Sequence, residues 1–307
     1  MVGSLASACH AAVDELASAA DLIRWGASRF EEHGLCYAHG TDNAVDEATE
    51  LVRYALWLEP GIADELLSAR LTRVEREQAV ELLRRRIVER CPAPYLTHRA
   101  WFAGLRFYVD ERVLVPRSPI AEWIERGFEP WLVAENVTRV LDLGTGSGCI
   151  AIACAAAFPA ASIDAVDTSP DALAVALHNV EAHRVAERVR VIGSDLYAEL
   201  GTRLYDLIVS NPPYVDAREM AALPPEHRHE PRAALASGAD GLDCVRRILA
   251  GAPAHLAADG VLVVEVGASR VALEAAFPEL PLVWLELARG GENVFLLTAN
   301  DLAMFSG

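Results

Sequence analysis

The sequence predicts an α/β fold with a doubly wound, mainly parallel sheet, preceded by a small helical domain. Three observations support this prediction. Apolar residues recur at helical spacing between residues 6 and 90, and beyond residue 121 apolar strands alternate with helical segments. Only residues 288–292 separate the last two strands, which is too short for a crossover helix, so the last strand should be antiparallel.

The N-terminal region, residues 1–90, contains only helical patterns. Leu51, Tyr54 and Leu58 follow the 3.6-residue period of an amphipathic helix. Thr72 followed by Glu75 matches a capping box and predicts that another helix begins there. That helix mixes arginine with glutamate, which indicates either a solvated face with intrahelical ion pairs or a docking surface for a partner. We expect this domain to recognise the substrate.

Residues 91–120 are predicted to link the two domains. The prolines at 92 and 94 break the preceding helix. Residues 101–115 are rich in aromatic and branched side chains around a turn-permissive Asp110-Glu111, which predicts a β-hairpin. Residues 121–307 form the second domain, with seven strands predicted at 138–143, 162–167, 189–193, 205–210, 260–266, 282–287 and 293–298. Helices are predicted between most of them, including 170–183 and 242–256.

Composition restricts the function. The formal charge is −17, the pI is about 4.9 and no residue is lysine, which excludes Schiff-base chemistry and a phosphate-loop lysine. An acidic surface also repels phosphate backbones, so we expect no direct DNA binding. The six cysteines form no Cys-x-x-Cys pair and are interpreted as reduced thiols of a cytoplasmic protein.

No membrane segment or metal site is expected either. The longest apolar stretch, residues 149–158, is far shorter than a membrane span, and the N-terminus lacks the pattern of a secretory signal. His227, His229 and Glu230 lie close together in sequence, but their loop context argues against a metal centre.

A glycine-rich turn follows the first strand of the second domain, where ligands bind in such sheets. Its residues are Asp142, Gly144, Thr145, Gly146 and Gly148, with Leu143 and Ser147 between them. Dinucleotide-binding domains also use a glycine turn, but a carboxylate at Asp142 would face their pyrophosphate at close range. S-adenosylmethionine has no phosphate and carries a cationic amino-acid end. We therefore predict S-adenosylmethionine as the cofactor.

Two further strand ends supply candidate cofactor contacts. Asp167 ends the second strand, where a carboxylate accepts hydrogen bonds from ribose hydroxyls; it also suits the cap of the helix that starts at Ser169-Pro170. Asp195 and Leu196 end the third strand, where an acidic and an apolar side chain would hold adenine. Simple helix capping by Asp195 is the alternative.

The fourth strand ends in Asn211-Pro212-Pro213-Tyr214, which we predict to bind the substrate and carry the chemistry. Two adjacent prolines give a rigid backbone that donates no hydrogen bonds. The Asn211 side-chain oxygen and the Pro212 carbonyl are then acceptors for an NH2 group, while the Tyr214 ring offers a flat face to a planar π-system. The motif therefore predicts methylation of a planar amide or aryl amine without prior deprotonation.

The motif alone leaves the substrate open between a DNA base and a protein glutamine. The acidic chain, the uninterrupted core and the lack of a large inserted domain favour protein. A catalytically silent binding module is disfavoured, because such a module has no use for these acceptors.

The chain resembles the protein-(glutamine-N(5)) methyltransferases over nearly its whole length. The resemblance rests on D-x-G-T-G-S-G and Asn-Pro-Pro-Tyr, on Pro116-Arg117-Ser118-Pro119, and on residues 230–235 leading into 238–243. It implies a class I S-adenosylmethionine methyltransferase fold with a helical N-terminal domain and a hairpin. It also implies cofactor contacts at Gly144 to Gly148, Asp167, Leu196 and Asn211, and substrate contacts at Asn211 to Tyr214. The family's adenine-side aromatic is replaced here by Leu196.

The sequence between the hairpin and the second domain favours one branch of that family. The release-factor branch has Pro-Arg-Pro-Glu-Thr-Glu where this chain has Pro-Arg-Ser-Pro-Ile-Ala-Glu, residues 116–122. The chain is more similar to the branch that methylates large-subunit ribosomal protein three, which implies that protein as partner. Release factors and DNA adenine stay as alternative substrates.

Overall fold

The computed structural model describes residues 2–59, 61, 64–288 and 293–305. The chain divides into two compact units, Met1–Arg99 with Pro224–His229, and Ala100–Leu223 with Glu230–Gly307. Within the described ranges, no helix combines the length and the apolar character needed to cross a membrane.

The described part of the helical unit contains five α-helices. They are α1 (Val2–Glu15), α2 (Ala19–Glu32), α3 (Ala44–Ala55), α4 (Arg73–Glu89) and α5 (Ala93–Thr97). The predicted capping box at the start of α4 is confirmed: the Glu75 amide donates to Thr72 Oγ1 at 3.3 Å, and the Glu75 carboxylate accepts from the Thr72 amide at 2.7 Å.

The arginines of α4 have two different environments. Arg84 and Arg85 are partly exposed and bind Glu81 and Glu89 on the same helix, as expected of a solvated face. Arg86 is fully buried and donates to Glu47 of α3 at 2.6 Å. It also reaches Glu226 at 3.3 Å and the Cys36 carbonyl at 2.8 Å, so residues 224–229 are bound into the helical unit through a buried ion cluster.

A short hairpin opens the second unit, but its turn is not where the sequence predicted. Strands β1 (Ala100–Phe102) and β2 (Leu105–Phe107) pair antiparallel around Ala103-Gly104. Both turn residues have positive φ, 48° and 73°, which glycine adopts without steric cost. A turn does form at Asp110-Glu111, where the Val113 amide donates to the Asp110 carbonyl at 3.1 Å, but it does not join β1 to β2, so the predicted place of the hairpin turn was wrong.

The second unit contains a seven-stranded sheet in the order β5-β4-β3-β6-β7-β9-β8. The strands are β3 (Arg139–Leu143), β4 (Ser162–Asp167), β5 (Val189–Gly193), β6 (Tyr205–Ser210), β7 (Leu256–Glu265), β8 (Val283–Trp284) and β9 (Val294–Thr298). Strands β3 to β7 are parallel, and β9 runs antiparallel to both β7 and β8. The predicted mainly parallel sheet with an antiparallel last strand is confirmed.

Helices cover both faces of the sheet. They are α6 (Ile120–Glu125), α7 (Cys149–Ala157), α8 (Pro170–Ala182), α9 (Ala217–Ala222), α10 (Asp243–Gly251), α11 (Arg270–Ala276) and α12 (Ala299–Phe305). Successive strand residues enter opposite cores: Val140 joins the cluster beneath α6 and α7, and Leu141 joins the cluster beneath α10 and α12. Helix α10 ends before the predicted residue 256, because Pro253 cannot continue its hydrogen bonds.

Candidate active site

A cavity of about 410 Å³ lies in the second unit, beyond the carboxyl ends of β3 to β6. Its walls are formed by residues 112–118, 144–147, 167–169, 194–196, by Asn211 and Pro213, and by parts of 231–247. Ligands of doubly wound sheets bind in this position, where the strand order reverses.

The glycine-rich turn forms the floor of the cavity. The Gly144 and Thr145 amides both donate to the Val166 carbonyl, at 2.9 and 2.8 Å, which fixes the turn against the end of β4. Gly146 has φ 54°, and no atom of the described residues lies within 4 Å of the position where a Cβ would stand. Its left-handed backbone and the open space beside it leave room for a ligand against the main chain.

Asp142 lies beneath the turn and does not line the cavity, contrary to its predicted position. Its side chain is fully buried, and Oδ2 accepts from Thr145 Oγ1 at 2.6 Å and from the Ala151 amide at 3.1 Å. Burial raises the pKa of this carboxyl to about 7. Among the described residues Oδ1 has no hydrogen-bond partner. The carboxyl therefore supports the turn, and contact with the cofactor's cationic end stays a prediction. Gly148, which begins α7, lies outside the lining as well.

Asp167 lines the cavity and also organises the backbone around it. Oδ2 accepts from the Gly146 amide at 3.0 Å, and Oδ1 accepts from the Ser169 amide at 2.9 Å at the start of α8. Each carboxylate oxygen has a second lone pair for another donor. The geometry is therefore compatible with both functions predicted for Asp167.

Asp195 and Leu196 lie together at another wall of the cavity. Leu196 has φ 51°, a left-handed conformation unusual for a branched residue, and Ser194 Oγ donates to its carbonyl at 2.8 Å. The Asp195 carboxylate is half-exposed and accepts from Arg247 of α10 at 2.7 Å. Arg247 was not predicted as a site residue.

Asn211 presents an unpaired acceptor at the end of β6. Its Oδ1 is buried and no donor among the described residues reaches it. Ser210 fixes the strand end, because its hydroxyl donates to the Leu143 carbonyl of β3 at 2.7 Å. Pro213 lines the cavity, whereas Pro212 is buried behind it.

Tyr214 occupies a different environment from the one expected of an open stacking face. Its hydroxyl donates to Glu265 Oε1 at 2.9 Å, and its carbonyl accepts from Ser269 Oγ at 2.8 Å. The ring packs so closely on Gly267 that a Cβ there would lie 2.3 Å from it. Burial raises the pKa of the phenol well above its usual range. Tyr214 thus lies behind the cavity wall in this structure.

Three polar residues that support the site were not recognised from the sequence. Asn179 of α8 is buried and donates to the Tyr108 and Ser147 carbonyls, at 3.0 and 2.9 Å. Glu230 binds the Arg117 guanidinium through both oxygens. Glu265 accepts from Ser118 and Tyr214. The sequence signals were a polar residue on the apolar face of a helix, at Asn179, a polar residue within a branched strand, at Glu265, and the family motif that begins at Glu230.

The sheet order and the glycine turn at the end of β3 define a class I methyltransferase, an enzyme whose methyl donor is S-adenosylmethionine. A family model described as the methyltransferase small domain matches residues 130–226.

Curated proteins named ribosomal protein uL3 glutamine methyltransferase match nearly the whole chain. That of Bordetella pertussis is 50% identical over 94% of this chain and 97% of its own. Those of Xanthomonas campestris (51%, covering 96% of each chain) and Neisseria gonorrhoeae (52%, covering 95% of this chain and 97% of its own) are equally similar. The chain belongs to this family of glutamine methyltransferases, which confirms the resemblance inferred from its motifs.

Proposed function

We propose that this enzyme methylates the side-chain amide nitrogen of a glutamine in ribosomal protein uL3. The observation that carries the proposal is the buried, unpaired Asn211 Oδ1 at the end of β6. A buried acceptor without a partner is costly, so its retention indicates a donor supplied by the substrate. The N–H of a primary amide is such a donor.

The chain's own residues activate the nitrogen by orienting it. An amide nitrogen is a poor nucleophile, because its lone pair is delocalised into the carbonyl. Asn211 Oδ1 and the Pro212 carbonyl would each accept a hydrogen bond from one N–H of the amide. These two bonds return electron density to the nitrogen and fix the direction in which its lone pair points. Positioning of this kind is worth on the order of 7–11 kcal/mol. No side chain has to remove a proton beforehand.

The cofactor would be held by the turn and the strand ends around the cavity. Gly144, Thr145 and Gly146 would approach it with their backbone, Asp167 would accept from the ribose, and Leu196 beside Asp195 would contact adenine. The bound cofactor would supply a sulfonium methyl group for in-line displacement: the N–C bond would form as the S–C bond breaks, a neutral thioether would leave, and the methylated nitrogen would release one of its two protons to solvent. The open space at Gly146 and the free lone pairs of Asp167 fit this ligand.

The protein substrate is inferred from the relatives and from charge. The curated relatives are named for uL3, and they align with this chain over almost their whole length. The −17 charge opposes binding of DNA, the other substrate class with a planar NH2. We assign recognition of the protein to the helical domain, residues 1–90, leaving residues 91–120 as the linker and 121–307 as the catalytic domain.

Asn211→Ala tests the proposal directly. Loss of one positioned acceptor should reduce kcat by roughly 10²–10³-fold, by analogy with the loss of an oxyanion-hole donor. The measurement is turnover of purified uL3 with radiolabelled cofactor, together with circular dichroism and calorimetric cofactor binding. Asn136→Ala, at an exposed asparagine outside the cavity, is the matched control. Near-normal turnover by folded Asn211→Ala at saturating uL3 would refute the amide-orienting mechanism.

A further inference from the structure

The end of β7 carries a buried carboxyl group that links the two segments nearest the proposed substrate site. Glu265 is 5% exposed. Its Oε1 accepts from the Tyr214 hydroxyl at 2.9 Å and its Oε2 accepts from the Ser118 hydroxyl at 2.5 Å. Each oxygen therefore receives one donor, and the two donors are 96 positions apart in the chain, as their numbers show.

The Tyr214 ring has little freedom apart from this hydrogen bond. One side of it rests on Gly267, where a Cβ would collide with three ring atoms at 2.3 to 2.8 Å. The Tyr214 carbonyl is also enclosed, because it accepts from Ser269 and a Cβ at Gly241 would approach it to 2.3 Å. Glu265 fixes the remaining variable, the position and direction of the hydroxyl at the far end of the side chain.

The hydrogen bond from Ser118 to Glu265 holds part of the cavity wall in place. Ser118 lines the cavity, and its Oγ also accepts from the Ile120 amide at 3.2 Å, at the start of α6. Its neighbour Arg117 binds Glu230, another carboxylate with a fully buried side chain. Two consecutive residues of the wall are thus held by two separate buried acid groups.

We propose that Glu265 is the positioning residue of the amide-binding site, which sets the Tyr214 ring and the Ser118 wall at a fixed separation. The inference rests on the proposed amide substrate. A carboxylate suits this task because it accepts at both oxygens, whereas a glutamine presents an NH2 group to one of the two hydroxyls. Burial raises the pKa of Glu265, while the two hydroxyl donors and nearby Arg117 lower it.

Glu265→Gln is the informative substitution, because it keeps the shape and replaces one acceptor by a donor. Ser118 and Tyr214 are hydroxyls and can each accept, so the variant should fold with one hydrogen bond reversed. We expect kcat on uL3 to fall about 10- to 100-fold, as misplacement of reacting groups does. Cofactor affinity should stay within twofold. Glu135→Gln, at an exposed position, is the matched control and should behave as wild type.

A double-mutant cycle with Tyr214→Phe separates positioning from general stability. Tyr214→Phe removes the same hydrogen bond from its other end, so the double variant should be scarcely slower than the worse single variant. Additive losses, a kcat within twofold of wild type, or a parallel loss of cofactor affinity would each overturn the proposal. Wild-type enzyme in the same assay reports on the proposed function independently, since its failure to methylate a uL3 glutamine would be visible before any variant is compared.

Discussion

Asp142 illustrates how a residue can serve the site from outside it. The carboxyl accepts from Thr145 and from the first turn of α7, so it joins the glycine turn to the helix that follows. In the apolar environment under the turn the neutral form is favoured, which is why the pKa rises to about 7 from 3.8. One of the two carboxyl oxygens has no partner among the described residues, so no hydrogen bond at that oxygen offsets the cost of burying the charge.

This pKa predicts a pH-dependent contribution to stability. Between pH 3.8 and about 7 the folded state binds the Asp142 proton and the unfolded state does not, so the free energy of unfolding falls as pH rises through this window. The full effect is on the order of 4 kcal/mol. Asp142→Asn keeps an acceptor for Thr145 and Ala151 but cannot ionise. Relative to wild type, it should gain stability steadily from pH 4 to pH 7.

Chemical denaturation of both proteins across that pH range measures the difference. Every other titrating group is common to the two proteins, so the difference isolates Asp142. Asp259→Asn, at an exposed aspartate, controls for the loss of one charge and should run parallel to wild type. Parallel curves for Asp142→Asn and wild type would contradict the assignment of a neutral carboxyl.

At the level of elements, the parallel strands were readable, because all except the edge strand β5 are largely buried on both faces. Such strands consist of continuous branched and apolar runs, and β4, β5 and β6 have the bounds that the sequence predicted. The hairpin turn was misplaced, because the chain turns at two places: Asp110-Glu111 forms a turn as predicted, whereas the paired strands are joined at Ala103-Gly104. A sequence pattern reports the local preference for a turn, and it does not show which of two turns joins paired strands.

The candidate site could also be predicted in part from the sequence. Residues at strand ends were found, because the topology brings carboxyl ends of parallel strands to one edge. The partners of those residues were not, since they come from distant parts of the chain: Ser118 and Glu265 are 147 positions apart, and Tyr108 and Asn179 are 71 apart. Tyr214 was expected to present its ring as an open face, and the structure instead directs its hydroxyl to Glu265.

The glycine turn allows a prediction that separates backbone strain from ligand contact. Gly146 and Gly201 have φ of 54° and 61°, and a Cβ at either position would have no described residue within 4 Å. Alanine at either position should therefore cost about 1–2 kcal/mol of stability, the penalty of a left-handed conformation. Only Gly146 lines the cavity, so only Gly146→Ala should also weaken cofactor binding.

Thermal unfolding and calorimetric titration of S-adenosylmethionine test both halves of that expectation. Gly201→Ala serves as the matched control, because it carries the same strain away from the cavity. If the two variants lose cofactor affinity equally, the effect comes from general destabilisation and the turn does not approach the cofactor as proposed.

For the whole molecule, charge is the property that most restricts which kind of macromolecule can bind as a substrate. Acidic residues number 44 against 27 basic ones, and none of the basic residues is lysine. Many arginines are already paired, as Arg84 is with Glu81 and Arg190 with Asp164. The long-range field is therefore negative, which favours a basic partner and opposes nucleic acid. Ribosomal proteins are generally strongly basic, so the charge supports uL3 among the substrates that the chemistry permits.

The charge also predicts how the reaction responds to salt. Attraction between an acidic enzyme and a basic substrate accelerates their encounter, and salt shortens its range to about 10 Å at 0.1 M ionic strength. Raising the salt should therefore lower kcat/KM for uL3 several-fold while kcat at saturation stays constant, because the amide-binding groups lie in a cavity and act at short range.

The assay offers uL3, a release factor and DNA separately at low and moderate salt, and mass spectrometry locates the methyl group. We expect a methylated glutamine in uL3 alone. Methylation confined to the release factor would move the enzyme to the other branch of glutamine methyltransferases. Methylated adenine, or a kcat/KM for uL3 that does not change with salt, would contradict the view that charge selects a basic protein.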